Sequence, residues 1–346
     1  MKIAIVQTLY PIGHHSLDNG FVRILSKEHE LFIVDDGKYF SKSILDNSNI
    51  KRIIVPHFKI KRCEALKRIL RRIDLFFVFL ALKIHRYDYD VILFLNIDND
   101  IYKIEKWLPK KKKILIHHND IDVLISSNNN VRQGFFRAKD KFTHICLAAY
   151  ISDAFKSYSN LSDDKVFTVH QPLVFKSCNN DIVKENLVVG IGNSMEEGFI
   201  TGLIDLDGTD SLPCRLIMRS HSINYTGRNM DVFTGFLDRT KYEELYNKSK
   251  ASLVTYPLSY KFRYSGIIDD SLSKGLVVFS NDTLCGRYFA SIYPDSVFII
   301  NNVMHLWTML QKGLPPQSEK DKNRFNERHS DEYVLLQFNK AIQSQL

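Results

Sequence analysis

Two short segments of this chain concentrate side chains able to do chemistry. The first runs Tyr256-Pro257-Leu258-Ser259-Tyr260-Lys261-Phe262-Arg263-Tyr264-Ser265-Gly266-Ile267-Ile268-Asp269-Asp270. A strand-like stretch ends near Tyr256, a loop carrying Lys261 and Arg263 follows, and Ser265-Gly266 opens a helical pattern that stops at Gly275. Open N–H groups at a helix start attract anions, so Ser265 and Gly266 are placed to accept a diphosphate. Lys261 and Arg263 would neutralise its charge. Asp269 or Asp270, one turn further on, could accept from a ribose diol. The plainer reading makes Ser265 an N-cap, Gly275 a C-cap and the four charges a solvated surface. On these residues alone the two readings weigh evenly.

The second segment is Ile114-Leu115-Ile116-His117-His118-Asn119-Asp120. Imidazole titrates near neutrality and suits a general base or a hydrogen-bonding role. His118 is the candidate and Asp120 its orienting partner, although histidines in such a place are more often ordinary loop residues. Which of His117 and His118 faces a ligand stays open. Gly13, in the loop after the first apolar run, would let backbone approach a ligand closely, but a plain turn is the commoner reason for such a glycine. Asp98-Asn99-Asp100 spells an acidic pair but lies in the first half of the chain, and no other clustered carboxylate pair sits in a convincing loop, so no metal is expected. The five cysteines never form a CxxC pair, which fits a reducing compartment and offers no zinc site.

These groups need a scaffold, and the apolar pattern supplies one. Short β-branched runs recur at Lys2 to Val6, Glu30 to Val34, Lys51 to Val55, Val91 to Leu95, Lys113 to Ile116 and His144 to Leu147, with helix-length stretches between them. Continuous apolar strands alternating with helices indicate a parallel sheet covered on both faces. After the polar stretch Phe175 to Asn186 the pattern restarts at Leu187 to Ile191, Cys214 to Met218, Met230 to Thr234, Ala251 to Thr255, Leu276 to Phe279 and Ser296 to Ile300. The expected domains are therefore 1–175 and 181–325, both Rossmann-like, with a terminal helix in 326–346 whose apolar positions are Tyr333, Leu336, Phe338 and Ile342. Ligands of such sheets bind beyond the carboxyl ends of the strands.

Charge is unevenly spread. Residues 1–175 hold 28 Lys and Arg against 19 Asp and Glu, whereas the remainder holds 19 against 20. The densest block, Phe58 to Arg72, includes Lys67, Arg68, Arg71 and Arg72 around apolar residues at helical spacing. Cations flanking an apolar stripe suit a helix lying on anionic lipid. No nucleic-acid signature accompanies it, so RNA or DNA is the least favoured partner. The apolar run Ile73 to Ile84 is too short to span a bilayer, which needs about 20 residues. With no secretory signal pattern, the expected location is cytoplasmic, peripheral at the inner face of the plasma membrane.

From Asn224 to Asp282 the chain resembles the nucleotide-binding half of GT-B glycosyltransferases, in particular bacterial group 1 enzymes of the retaining type. Met230-Asp231-Val232-Phe233-Thr234-Gly235, Ala251 to Pro257 and Leu272-Ser273-Lys274-Gly275-Leu276-Val277-Val278-Phe279-Ser280 carry the likeness. Val188-Val189-Gly190-Ile191-Gly192-Asn193 is similar to the opening strand of the family's donor domain, and the His117-His118 strand to one that faces the acceptor. The family's two donor-loop glutamates fall here at Lys261 or Phe262 and at Asp269 or Asp270. Its Arg and Lys near the opening strand are replaced by Asn193 and Glu197, so a diphosphate would rely on Lys261, Arg263, Arg219 and the helix terminus.

The resemblance implies an α/β protein of the GT-B fold, with two doubly wound domains facing a cleft and a C-terminal helix crossing back to the first. It implies transfer of a sugar from a nucleoside-diphosphate sugar to a glycan, a lipid-linked oligosaccharide of capsule, O-antigen or exopolysaccharide synthesis. Gly13, Asn193, Arg219, Lys261, Arg263, Ser265, Gly266, Asp269 and Asp270 would hold the donor, with no cofactor and no metal. The alternatives are a non-catalytic partner subunit, which the missing first glutamate favours, and a sugar-nucleotide epimerase, which the basic segment disfavours.

Overall fold

The computed structural model describes the chain except residues 8–14, 57–63, 97, 98, 100, 127, 128, 174–182, 193, 194, 345 and 346, and except the side chains of 64–69, 71, 72 and 129. The chain divides into two compact units, Met1–Val174 with His329–Leu346, and Phe175–Arg328.

The first unit runs β1 (Lys2–Gln7), α1 (His15–Leu25), β2 (Glu30–Asp35), α2 (Lys42–Leu45), β3 (Ile50–Ile54), α3 (Glu64–Ile84), β4 (Val91–Asn96), α4 (Ile101–Ile104), β5 (Lys112–His117), α5 (Asp120–Ser126), α6 (Asn129–Ala138), β6 (Thr143–Cys146), α7 (Ala149–Ser159) and β7 (Val166–Thr168). Its seven strands are parallel, in the order β3-β2-β1-β4-β5-β6-β7. The central strands explain why the pattern is so plain. Val91-Ile92-Leu93-Phe94-Leu95-Asn96 is buried at every position, because helices cover both faces of a parallel sheet. Strand order reverses between β1 and β4, which makes their carboxyl ends the topological switch point. Asn160 ends α7 in the left-handed conformation, φ 52°, where it serves as the stop.

The second unit repeats the plan with β8 (Leu187–Gly190), α8 (Glu197–Asp207), β9 (Arg215–Ser220), β10 (Tyr225–Thr226), β11 (Met230–Thr234), α9 (Arg239–Lys248), β12 (Ala251–Val254), α10 (Gly266–Ser273), β13 (Val277–Asn281), α11 (Leu284–Ile292), β14 (Val297–Ile300), α12 (Val303–Gln311) and α13 (Glu319–Arg328). The sheet order is β10-β11-β9-β8-β12-β13-β14, parallel except for the short edge strand β10. Successive residues of β8 serve two cores. Val188 packs with Leu216, Leu253 and Phe279 on one face, while Leu187 and Val189 pack with Tyr246 and Leu276 on the other.

The last helix, α14 (Asp331–Gln343), belongs to the first unit. It is buried through Val334, Leu335, Phe338, Ala341 and Ile342, while Tyr333 and Leu336 are exposed. The expected stripe was thus rotated by about one residue: the inward face follows 334, 338, 341 and 342. Phe338 meets Phe21 of α1 edge to face, ring centroids 5.3 Å apart. Asp331 at the start of α14 takes ion pairs from Arg23 and Lys27, its carboxylate adding to a favourable helix N-terminus.

Candidate functional site

In the second unit the switch point lies between β8 and β12. The loop after β8 passes so close to α10 that a Cβ on Gly192 would sit 2.5 Å from Ile267 Cδ1. On the other side, the loop after β12 is pinned by Asn281 at the end of β13. Its Nδ2 donates to the Tyr256 carbonyl at 2.7 Å, and its Oδ1 accepts from the Tyr256 N–H at 3.0 Å. Tyr256 in turn hydrogen-bonds Ser265 Oγ at 2.7 Å through its hydroxyl. Ser265 caps α10, its Oγ accepting from the Ile268 N–H at 3.2 Å. The capping and anion-binding readings are therefore compatible: the cap consumes the Ile268 N–H, whereas Gly266 and Ile267 stand in the first turn, where N–H groups lack an intrahelical acceptor. At the other end Gly275 adopts φ +73°, the conformation a C-terminal glycine supplies.

Three cations reach this carboxyl edge. Lys261 is exposed, Arg263 stacks its guanidinium 3.9 Å over the Tyr260 ring, and Arg219 is the penultimate residue of β9, the strand beside β8. Arg219 is buried, donates through Nε to the Gly235 carbonyl at 2.5 Å and lies 4.1 Å over the Phe236 ring; burial pulls its pKa down from the usual value. Glu197, in the first turn of α8, accepts from Ser220 Oγ at 2.5 Å, the His221 N–H at 2.7 Å and Ser222 Oγ at 3.2 Å. Burial alone would raise its pKa, but these donors bring it below the ordinary value.

The two aspartates behave differently. Asp269 is buried and accepts from the Tyr264 hydroxyl at 2.9 Å, so it faces inward; burial holds its pKa well above the usual range. Asp270 is half-buried and meets the Tyr242 hydroxyl at 3.2 Å, with burial pushing its pKa up to about 7. Of the pair, Asp270 is the one with access to solvent. Asn193, Gly13 and the acidic residues Asp98 and Asp100 lie outside the described residues, as do the side chains of Lys67, Arg68, Arg71 and Arg72.

In the first unit His117 ends β5 and His118 follows it. The orienting role expected of Asp120 toward His118 is corrected: its Oδ2 lies 2.5 Å from His117 Nδ1, while its Oδ1 accepts the His118 backbone N–H at 3.0 Å. The reason is local, since Asp120 opens α5 and turns back on the strand end. His117 Nε2 lies 2.9 Å from His144 Nδ1, and His144 Nε2 lies 3.0 Å from the Lys139 carbonyl. Burial disfavours charge on His144, the second ring of this chain. The His118 ring points elsewhere, with its Nε2 2.7 Å from the Leu95 carbonyl.

A cluster absent from the sequence reading sits at the switch point of this unit. Gln7 at the end of β1, Asn96 at the end of β4 and Tyr39 beyond β2 all donate to Asp18 Oδ2, at 2.5, 2.9 and 2.5 Å. Asp18 is fully buried on α1, and its Oδ1 has no hydrogen-bond partner among the described residues. Burial pushes its pKa up to about 7, against the three donors. The sequence signal was faint: Gln7 and Asn96 are single polar residues closing apolar strands.

Two parallel, doubly wound sheets in one chain, with a helix N-terminus and cations at a switch point, define the GT-B fold of glycosyltransferases, and this chain has it. HepE of Anabaena in complex with UDP is similar over 99% of this chain and 100% of its own, with 11% identity and a TM-score of 0.69. The lipopolysaccharide outer core galactosyltransferase WaaB in its apo form is similar over the whole of both chains, with 15% identity and a TM-score of 0.63. Sucrose-phosphate synthase from Thermosynechococcus elongatus matches 99% of this chain and 98% of its own at 11% identity, TM-score 0.67. No protein-family model and no curated protein matches the sequence.

Proposed function

We propose that the protein transfers a glycosyl group from a nucleoside-diphosphate sugar to a glycan acceptor. The observation that carries this reading is the edge of the second sheet, where the capped start of α10 lies with Lys261 and Arg263 on one side of β8 and Arg219 on the other. In the reaction the bond from the sugar's anomeric carbon to the diphosphate oxygen breaks, and a bond to an acceptor hydroxyl oxygen forms as that hydroxyl loses its proton. The developing charge on the leaving diphosphate is what N–H groups and guanidinium groups at this edge would stabilise. Asp270 takes the ribose in this reading, since Asp269 is turned inward. In this reading His118 of the first unit is the candidate for receiving the hydroxyl proton, while His117 is buried with both ring nitrogens engaged by Asp120 and His144. Metal and cofactor have no role in the proposal.

The acceptor we propose is a lipid-linked oligosaccharide of bacterial surface polysaccharide assembly, met at the inner face of the membrane. Support comes from α3, where Ile73, Phe76, Leu80 and Ile84 recur at helical spacing and are all exposed, Phe76 by 58% and Ile84 by 64%. An exposed apolar stripe continuing a basic segment suits an interfacial helix. Among the described residues no helix is long and apolar enough to cross a membrane. The test is a thermal-shift screen of the full chain against UDP, GDP, dTDP and CMP sugars, with UDP-glucose first because HepE was solved with it. A rise in melting temperature with one nucleotide, lost in Arg263→Ala, is expected; no shift with any of them refutes the donor site. Binding without turnover would favour the partner-subunit reading, which the occupation of the family's first acidic position by Lys261 or Phe262 supports.

A further inference from the structure

A concavity lies in the first unit, beside the amino-terminal ends of β5 and β6. It encloses about 520 Å³ between α6 and the α4 segment with its following 3-10 turn (Glu105–Trp107). That volume is within the range of small-ligand sites, roughly 300–1,000 Å³. Lys103, Lys106, Arg137 and Lys141 line it, together with Asn130 and Gln133. Asn130, Gln133 and Arg137 stand at i, i+3 and i+7 of α6, so one helical face supplies two carboxamides and a guanidinium.

The cavity is built into the packing. Gly134 occupies the middle of α6, where glycine costs about 1 kcal/mol relative to alanine. A Cβ there would stand 3.0 Å from Lys103 Cγ, so the glycine lets the α4 segment lie against the helix backbone. Glu105, the one acid among the described lining residues, is buried and already shared: Lys113 Nζ lies 3.1 Å and Lys141 Nζ 2.7 Å from its carboxylate. Among the described lining residues, Lys106, Arg137 and Lys141, with Lys103, outnumber the carboxylates. Like charges gathered around a concavity focus a positive potential that an anion would relieve.

We propose that this cavity binds a phosphate group carried as a phosphomonoester or phosphodiester. The guanidinium fork of Arg137 matches tetrahedral phosphate oxygens, the lysines supply point charges, and the two carboxamides fit the hydroxyls of the attached alcohol. The site is independent of the donor-site assignment. His117 ends β5 and His118 follows it, whereas Lys113, which shares Glu105, is the second residue of that strand.

The source of the phosphate, lipid headgroup or soluble ester, is separated by two assays on the full chain. Calorimetric titration with glycerol 1-phosphate reads the soluble form, and flotation with phosphatidylcholine vesicles, with and without phosphatidylglycerol, reads the headgroup. The double variant Lys106→Ala/Arg137→Ala removes two exposed cations from the cavity. Lys110→Ala/Lys111→Ala removes two from the same edge outside it. The expected result is a loss of roughly tenfold or more in affinity in the first variant and less than about twofold in the second. Seen with glycerol 1-phosphate, this identifies a soluble ester; seen only with phosphatidylglycerol vesicles, a lipid headgroup. Binding in neither assay, or equal loss in both variants, overturns the proposal. Melting temperatures and the UDP thermal shift, both expected to be unchanged, separate this outcome from misfolding and from failure of the donor site.

Discussion

Replacing Asp18 by Asn should make the first unit less sensitive to rising pH. Burial lifts the Asp18 carboxyl from its ordinary 3.8 to about 7, so the folded state binds a proton there that the unfolded chain has released. The stability this proton contributes is complete below about pH 4 and is lost as pH rises through about 7. A shift of about three units at 1.4 kcal/mol each amounts to about 4 kcal/mol, spread over that window. Asn keeps an acceptor for Gln7, Tyr39 and Asn96 but carries no charge at any pH. Its N–H group takes the place of Oδ1, where protonated Asp18 likewise holds a donor with no acceptor among the described residues. The variant should therefore gain on wild type by about 1.4 kcal/mol per pH unit between about pH 4 and pH 7, levelling above. The sequence holds two tryptophans, Trp107 in the first unit and Trp307 in the second, so a Trp307→Phe background leaves fluorescence that reports the first unit alone. Urea unfolding at a series of pH values gives the difference directly. A gap between variant and wild type that stays constant from about pH 5 to 9, or moves in wild type's favour as pH rises, would refute the claim that burial governs this carboxyl.

Three further outcomes are expected. Arg263→Ala should weaken nucleotide-sugar binding by roughly tenfold in a titration, and Lys261→Ala by less, because Lys261 is exposed and Arg263 is held on the Tyr260 ring. Phe338→Ala should destabilise the first unit by about 3–5 kcal/mol in urea unfolding, since the ring is fully buried against Phe21, and the second unit's transition should not move. Phe76→Glu/Leu80→Glu on the exposed stripe of α3 should abolish flotation with anionic vesicles while leaving the UDP thermal shift intact; flotation that persists would remove α3 from the membrane contact.

Much of the scaffold was legible because strands buried on both faces cannot afford polar residues. The run Val91 to Leu95 announces β4 without any help from its neighbours, and Met230 to Thr234 appears as β11 with the same bounds. Ser265 and Gly275 were legible for a related reason, as local backbone geometry demands those residue types at helix ends. What escaped was pairing across distance. Asp18 is joined to Asn96, 78 positions away, and nothing in either residue's neighbourhood announces the partner. Asp120 was given to His118 by adjacency, but the turn that opens α5 delivers its carboxylate to His117. Glu197 read as a lost cation, yet it ties the start of α8 to Ser220 and His221 at the end of β9.

These long-range pairings also bear on which unit suits an anion. Both sheets have a switch point, and the two are furnished with opposite chemistry. In the first unit the crevice residues Gln7, Tyr39 and Asn96 turn inward onto a carboxyl that would repel a diphosphate once ionised. In the second, the start of α8 already carries its own carboxylate in Glu197, so that helix dipole is satisfied from within. The start of α10 carries a neutral serine cap, its two aspartates are engaged by Tyr264 and Tyr242, and Lys261 and Arg263 precede it. Among the described residues an anion would meet the least opposing charge at α10, and this contrast between like folds, more than the net charge of either half, supports the donor side proposed above.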